Sequence, residues 1–267
     1  MRTLGEAIVV VGLTVAVALL GQLLVRKRVR HELLVAHTDV AGFIYAALAV
    51  VYAVILAQVV VAAWEEFGEA RQASVAEANA WLDLVRLAEA WPEPERTQIE
   101  TALLAYGRSV VDQEWPAMIR GETQDPATVD RMRDLWRGYA AIAASPALAG
   151  NVTYAASISQ LDELDDARGD RLLASRDGLP AVLWGVLIAG GVLTVAFAYL
   201  FGVESSIAQG IMISALAALI ALLLFLIQSL GSPFGGSTSI DPDAFERVLH
   251  LASVELAALP PTMMARS

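Results

Sequence analysis

The chain has 267 residues, 57% of them hydrophobic and 18% charged, with a formal net charge of −11 and no cysteine. The missing thiols exclude a disulfide framework, a thiolate metal site and a cysteine nucleophile. The acidic balance works against nucleic-acid binding, which needs basic surface to displace counterions from phosphates.

The first apolar run covers residues 5–25 and is followed at once by Arg26, Lys27, Arg28 and Arg30. Basic residues beside a span stay on the cytoplasmic side. A secretory signal peptide would carry its charges before the apolar core. The run is therefore predicted to be a retained anchor, with the amino terminus outside and residues 26–39 inside. The second run, residues 40–63, has 24 residues without a charge. As a helix rising ~1.5 Å per residue it crosses a ~30 Å hydrocarbon core. It then continues without a break into charged sequence that keeps helical spacing, through Trp64, Phe67, Arg71, Val75, Ala78, Trp81, Val85 and Ala88. One helix from about residue 40 to about 90 is predicted to leave the membrane and enter water without stopping.

Residues 64–178 carry 21 Asp and Glu against 11 Arg. Their periodicity predicts a soluble four-helix domain. The long helix stops at Trp91-Pro92-Glu93-Pro94. A second helix runs from Glu95 to Ile119, with Pro116 expected to kink or end it. Asp125 and Pro126 are an N-cap and first-turn pair that starts a third, with Val129, Met132, Leu135, Trp136 and Tyr139 in its stripe. Ser145-Pro146 repeats the signal for a fourth, with Leu148, Val152, Ala155, Ile158, Leu161 and Leu164 inward. Spans at 179–201 and 207–230 form a second transmembrane hairpin after the 5–63 hairpin. Residues 231–267 read as a flexible Gly-Ser-Pro linker and an amphipathic tail helix carrying Phe245, Val248, Leu249, Ala252 and Leu256 on one side. The fold class is all-α, integral to the membrane, with four transmembrane helices. The expected location is a plasma membrane, crossed several times, with the soluble domain extracytoplasmic and both termini outside.

On span two, Phe43, Ala47, Val50, Val54 and Gln58 form a stripe at spacings of four, three, four and four. It either lines a hydrophobic pore constriction that gates by dewetting or packs against spans one, three or four. Ala46, Ala49, Ala53 and Ala57 form a neighbouring small-residue stripe of the kind that lets helices approach closely in lipid. Glu65, Glu66 and Glu69 at the mouth of the span would make a cation-attracting ring in an oligomer, or are simply a solvated helix start. Asp162, Glu163, Asp165 and Asp166 lack the loop pattern of a Ca²⁺ site, and Asp165 is expected to pair with Arg168 at i,i+3. His37 and Asp39 at the inner lip of span two are expected to be interfacial anchors. Spans two to four hold no ionisable residue, which argues against a proton-coupled transporter. Gly190-Gly191 reads as a packing contact. No phosphate loop, nucleophile elbow or HExxH spacing is present, so neither an enzyme nor a bound cofactor or metal is expected.

Four stretches resemble a family of bacterial four-span proteins described as bestrophin-like: Ile44-Tyr45, the run from Val59 through Trp64-Glu65-Glu66-Phe67, Glu114-Trp115-Pro116-Ala117-Met118, and Phe201-Gly202 followed by Ser232-Pro233-Phe234-Gly235-Gly236. The resemblance implies an oligomeric ion channel. By the more remote likeness to bestrophins it would be a pentamer conducting an inorganic anion, with a neck on span two. Two features depart from bestrophins: no acidic Ca²⁺ clasp follows span four, and the bestrophin soluble region is cytosolic, opposite to the side the charge rule gives here. The competing class is a non-conducting sensor or scaffold that presents a helical bundle. The expected partners are the lipid bilayer, further copies of the same chain and a possible anion.

Overall fold

A computed structural model describes residues 2–29, 38–148, 150–176, 178–203, 205–235 and 238–258. His37 and the stretch Gly236-Ser237 lie outside the described residues, as do the side chains of Asp39 and Leu256. The order is α1 (Arg2–Arg28), α2 (Thr38–Ala88), α3 (Glu95–Ser109), a π-helical segment (Val110–Glu114), α4 (Trp115–Ile119), α5 (Pro126–Ile142), α6 (Val152–Arg176), α7 (Ala181–Ala198), α8 (Ser206–Leu230) and α9 (Asp243–Ala258). No strand occurs among the described residues. Four helices are long and apolar enough to cross a membrane, within Leu4–Arg28, Ala41–Ala88, Ala181–Ala198 and Ser206–Leu230. The chain is thus an all-α integral membrane protein.

It divides into two compact units: residues 1–66 with 178–231, and residues 67–177 with 232–267. The division falls inside α2, which is unbroken over 51 residues.

In the membrane unit, α2 buries Tyr52, Leu56 and Val59 against Leu187 of α7 and Ile220 and Ile227 of α8. Gly190-Gly191 is the packing contact its sequence suggests. A Cβ on Gly190 would lie 2.6 Å from the Tyr52 ring, and the Tyr52 hydroxyl donates to the Leu187 carbonyl at 3.1 Å. Ala18 of α1 packs with Ile213 and Ala217 of α8. The α8 start is capped by Ser205, whose Oγ accepts from the Ala208 N–H at 3.2 Å.

In the other unit, α2, α3, α5, α6 and α9 surround one apolar core containing Trp81, Leu103, Tyr106, Leu135, Tyr139, Leu161 and Phe245. Asp125 caps α5 as its position predicts: Oδ2 accepts from the Thr128 N–H at 2.9 Å, with Pro126 in the first turn. Asp125→Ala is expected to destabilise the unit by about 1 kcal/mol, read as a drop in its apparent Tm.

Three local expectations change. Pro116 does not end its helix, and a π turn, Val110–Glu114, stands just before it. That turn widens the backbone, the Trp115 N–H bonds back to the Val110 carbonyl, and the helix runs on to Ile119. It stops at Gly121, whose φ of +82° takes the left-handed conformation that suits glycine. Ser145-Pro146 opens only a short 3₁₀ turn, Pro146–Leu148. The next helix starts after Gly150 (φ +74°), where Asn151 Oδ1 accepts from the Thr153 N–H at 2.8 Å. That start leaves Val152 83% exposed and Ala155 exposed, while Leu161 and Leu164 are buried as expected. Finally, the linker after span four is anchored at Phe234. Phe234 is buried edge-on to Trp115, with ring centroids 5.6 Å apart. Beyond it, α9 buries Phe245, Val248 and Ala252 in the core of its own unit.

Candidate functional site

Along α2 each residue turns the helix by ~100°. Tyr52, Leu56, Val59 and Ala63 therefore share one face, and all four are buried. Phe43, Ala47, Val50, Val54 and Gln58 fall roughly opposite. There Phe43 is 82% exposed, Val50 62% and Val54 56%, and Ala47 and Gln58 are exposed as well. Of the two readings of this stripe, packing against the chain's own spans is not what the folded chain does. Ala46, Ala53 and Ala57 are also exposed, and Ala49 is half-buried. Among the described residues, a broad apolar face of α2 has nothing packed against it.

Glu65, Glu66 and Glu69 are exposed, but helical rotation does not bring them onto one line. Glu65 continues the face of Val54 and Gln58, whereas Glu66 turns toward the side of Ala63. Asp162, Glu163 and Asp166 are exposed on α6. Among the described residues no group of three or more His, Asp or Glu side chains is placed to hold a metal ion.

Sequence reasoning missed a second cluster, enclosed in the unit formed by residues 67–177 and 232–258. Glu77 of α2, Glu114 of the π segment and Arg171 of α6 are completely buried, and Arg168 is nearly so. The Arg171 guanidinium grips Glu77 with two nitrogens, Nε on Oε2 and Nη2 on Oε1. Its Nη2 also reaches Glu114 Oε2 at 2.5 Å. Arg168 Nη2 donates to the other Glu114 oxygen. The Tyr106 hydroxyl donates to Glu77 Oε1 at 2.6 Å. Burial, followed by the adjacent Glu77 charge, holds that phenol well above its ordinary pKa, so it stays a donor. Burial alone would lower Arg171, but the Glu77 and Glu114 carboxylates outweigh it and the net shift is upward.

The Trp115 ring covers the Arg171 guanidinium, 5.2 Å from Cζ to its centroid, and Trp115 Nε1 donates to the Ile240 carbonyl at 3.0 Å. Glu114-Trp115-Pro116-Ala117-Met118 and the segment around Phe234 thus meet over this network. Two arginines against two carboxylates leave it electrically balanced. The expected Asp165–Arg168 pair is replaced: Arg168 turns inward to Glu114, and Asp165 accepts from Trp136 Nε1 at 3.2 Å.

The fold and these two features define a four-span helical membrane protein with a charge-stapled helical domain. The chain belongs to the bestrophin-like family, whose domain matches residues 12–245. Among solved structures it is similar to a bacterial bestrophin homologue from Klebsiella pneumoniae, with a TM-score of 0.71 at 14% identity over 93% of this chain and 99% of the other. A single-residue variant of that homologue gives 0.68 at 15% identity, covering 97% and 99%. At such identities the likeness establishes the fold. Comparison with functionally curated proteins gave no match.

Proposed function

We propose that the protein is an oligomeric ion channel in a bacterial inner membrane, with the α2 stripe from Phe43 to Gln58 as its hydrophobic neck. The observation that carries this reading is the exposed apolar face of α2, opposite the face the chain packs for itself, in a member of the bestrophin-like family. A charge-free stripe suits gating by dewetting. The small residues Ala46, Ala49, Ala53 and Ala57 beside it suit close approach of another copy. Residues 64–178 form the aqueous domain of this channel, with the segment after residue 231 packed into it, and transport replaces catalysis as the activity.

An inorganic anion is the proposed ion, by kinship with bestrophins, and five is the proposed number of copies. Glu65 supports a second reading: it continues the face of the neck, and a ring of carboxylates there favours cations.

The test is flux from vesicles loaded in parallel with chloride and with sodium. Selective chloride release supports the anion channel, and selective sodium release supports the second reading. Release of neither ion, from a chain that runs as a monomer or dimer, overturns the channel in favour of a membrane-anchored scaffold.

Sidedness has its own test. The basic end of α1 supports a domain outside the cytoplasm. A single cysteine introduced at Asp125 is expected to react with an impermeant thiol reagent added to intact spheroplasts. Protection there, with reaction only after lysis, places the domain in the cytosol.

A further inference from the structure

The membrane unit carries a second feature, distant in sequence from the α2 stripe. Between α1 and α8 lies a groove of about 450 Å³, lined by Leu19, Gln22 and Leu23 on one side and by Ser206, Ile207 and Gly210 on the other. Its walls are mainly aliphatic, and its polar groups are uncharged. Gly210 forms part of its wall: a Cβ there would make only ordinary contacts, with Gln22 Oε1 at 3.4 Å and Leu19 Cδ2 at 3.5 Å.

One end of the groove is cationic. Leu19, Leu23 and Lys27 stand four residues apart and therefore share one face of α1, so the chain's single lysine follows the groove wall by one turn. Lys27 is exposed. Arg26 beside it is held in place, Nε donating to Gln209 Oε1 at 3.0 Å and Nη2 to the Val203 carbonyl at 2.5 Å. Gln22 Nε2 donates to the same Gln209 oxygen at 3.3 Å, and Gln209 Nε2 to the Phe201 carbonyl at 2.9 Å. A polar floor of satisfied amides thus fixes one guanidinium at the end of an apolar trough, with Lys27 and Arg28 exposed beside it. The acidic residues that adjoin this end in sequence, Glu32 and Glu204, lie outside the described residues.

An aliphatic trough in a membrane-spanning bundle, ending in cations, matches one kind of molecule in both its parts. We infer that the groove binds an anionic phospholipid, with an acyl chain along Leu19, Leu23, Ile207 and Ile211 and the headgroup phosphate at Lys27. Phosphatidylglycerol is the simplest lipid of this chemistry. A basic side chain near an anionic headgroup favours it by about fivefold, whereas the trough itself accepts any acyl chain.

The test uses the purified full-length chain, delipidated in detergent and then exposed to equal amounts of phosphatidylglycerol and phosphatidylcholine. Retained lipid is counted by native mass spectrometry, and assembly size is measured in parallel. The wild type is expected to retain phosphatidylglycerol in preference to phosphatidylcholine. Lys27→Gln is expected to cut that preference about fivefold, while Arg28→Gln, on another face of α1, changes it little. Gly210→Leu fills the trough and is expected to abolish retention of both lipids at unchanged assembly size. Equal retention of the two lipids by the wild type overturns the site. Equal effects of the Lys27 and Arg28 substitutions also overturn it, because they would mark unspecific surface attraction. A change of assembly size in Gly210→Leu with lipid retention intact overturns it in favour of a second copy seated in the groove.

Discussion

Arg171→Leu is expected to lower the stability of the soluble unit by about 3–5 kcal/mol. For a unit of this size that corresponds to a fall of roughly 10–15 °C in apparent Tm. The substitution keeps much of the side-chain volume but removes the cation that Glu77 and Glu114 share. Glu77 would retain only the Tyr106 hydroxyl as a strong donor, and Glu114 only Arg168. A carboxylate sealed from water with one neutral donor is among the most costly arrangements a core can hold. Most of the loss comes from the charges left behind rather than from the attraction removed. The double substitution Glu77→Met with Arg171→Leu is therefore expected to be less damaging than Arg171→Leu alone, since Glu114 then keeps Arg168 and no orphan carboxylate remains at residue 77. Thermal unfolding of the purified chain, followed by tryptophan fluorescence, reads both outcomes, because Trp115 lies on the Arg171 guanidinium. Equal losses in the single and double variants would mean that the network contributes by packing rather than by charge.

This network also marks where sequence reading stopped. The spans were legible because lipid tolerates few charges, so each helix announces itself by length and composition. The Asp125-Pro126 start was legible because a capping oxygen and a proline each act within one turn of their own position. Ser145-Pro146 likewise pairs a capping oxygen with a proline, yet the helix starts only after Gly150 and Asn151. Pro116 signalled an irregularity but not its form: the sequence said kink or end, and the chain takes a π turn over Val110–Glu114. The ion pairs join residues 94 and 57 positions apart, beyond the reach of any periodicity. Their first trace was a carboxylate in the wrong place: Glu77 continues the buried row Ala70, Ser74, Trp81 and Leu84. Arg168 and Arg171 likewise extend the buried row of Leu161 and Leu164. A charge in phase with a core stripe calls for a partner, and here each sequence stripe contained half of the answer.

The α2 stripe was legible as a pattern and ambiguous in meaning, and one substitution separates the meanings. If Val50 lines a neck, Val50→Ser places a hydroxyl at that level in every copy and lets water persist where a ring of valines expels it. Removing ~1.4 kcal/mol from the barrier raises flux tenfold. Because the change repeats around the ring, an increase of about tenfold or more is expected in vesicle flux, with protein expression and assembly unchanged. Phe43→Ala, which removes the bulkiest and most exposed member of the stripe, is expected to act in the same direction. Tyr52→Phe is the control: it lies on the buried face and loses its bond to the Leu187 carbonyl, so it should alter stability modestly and flux very little. If Val50 instead faces lipid, serine there disturbs insertion slightly and leaves flux where it was. A cysteine at Val50 decides between these without a flux assay, because the chain has no native thiol to interfere. Modification by a charged, water-soluble methanethiosulfonate places Val50 on an aqueous path. Resistance to it, with ready reaction of a cysteine at Glu65, places Val50 in hydrocarbon and removes the neck from α2.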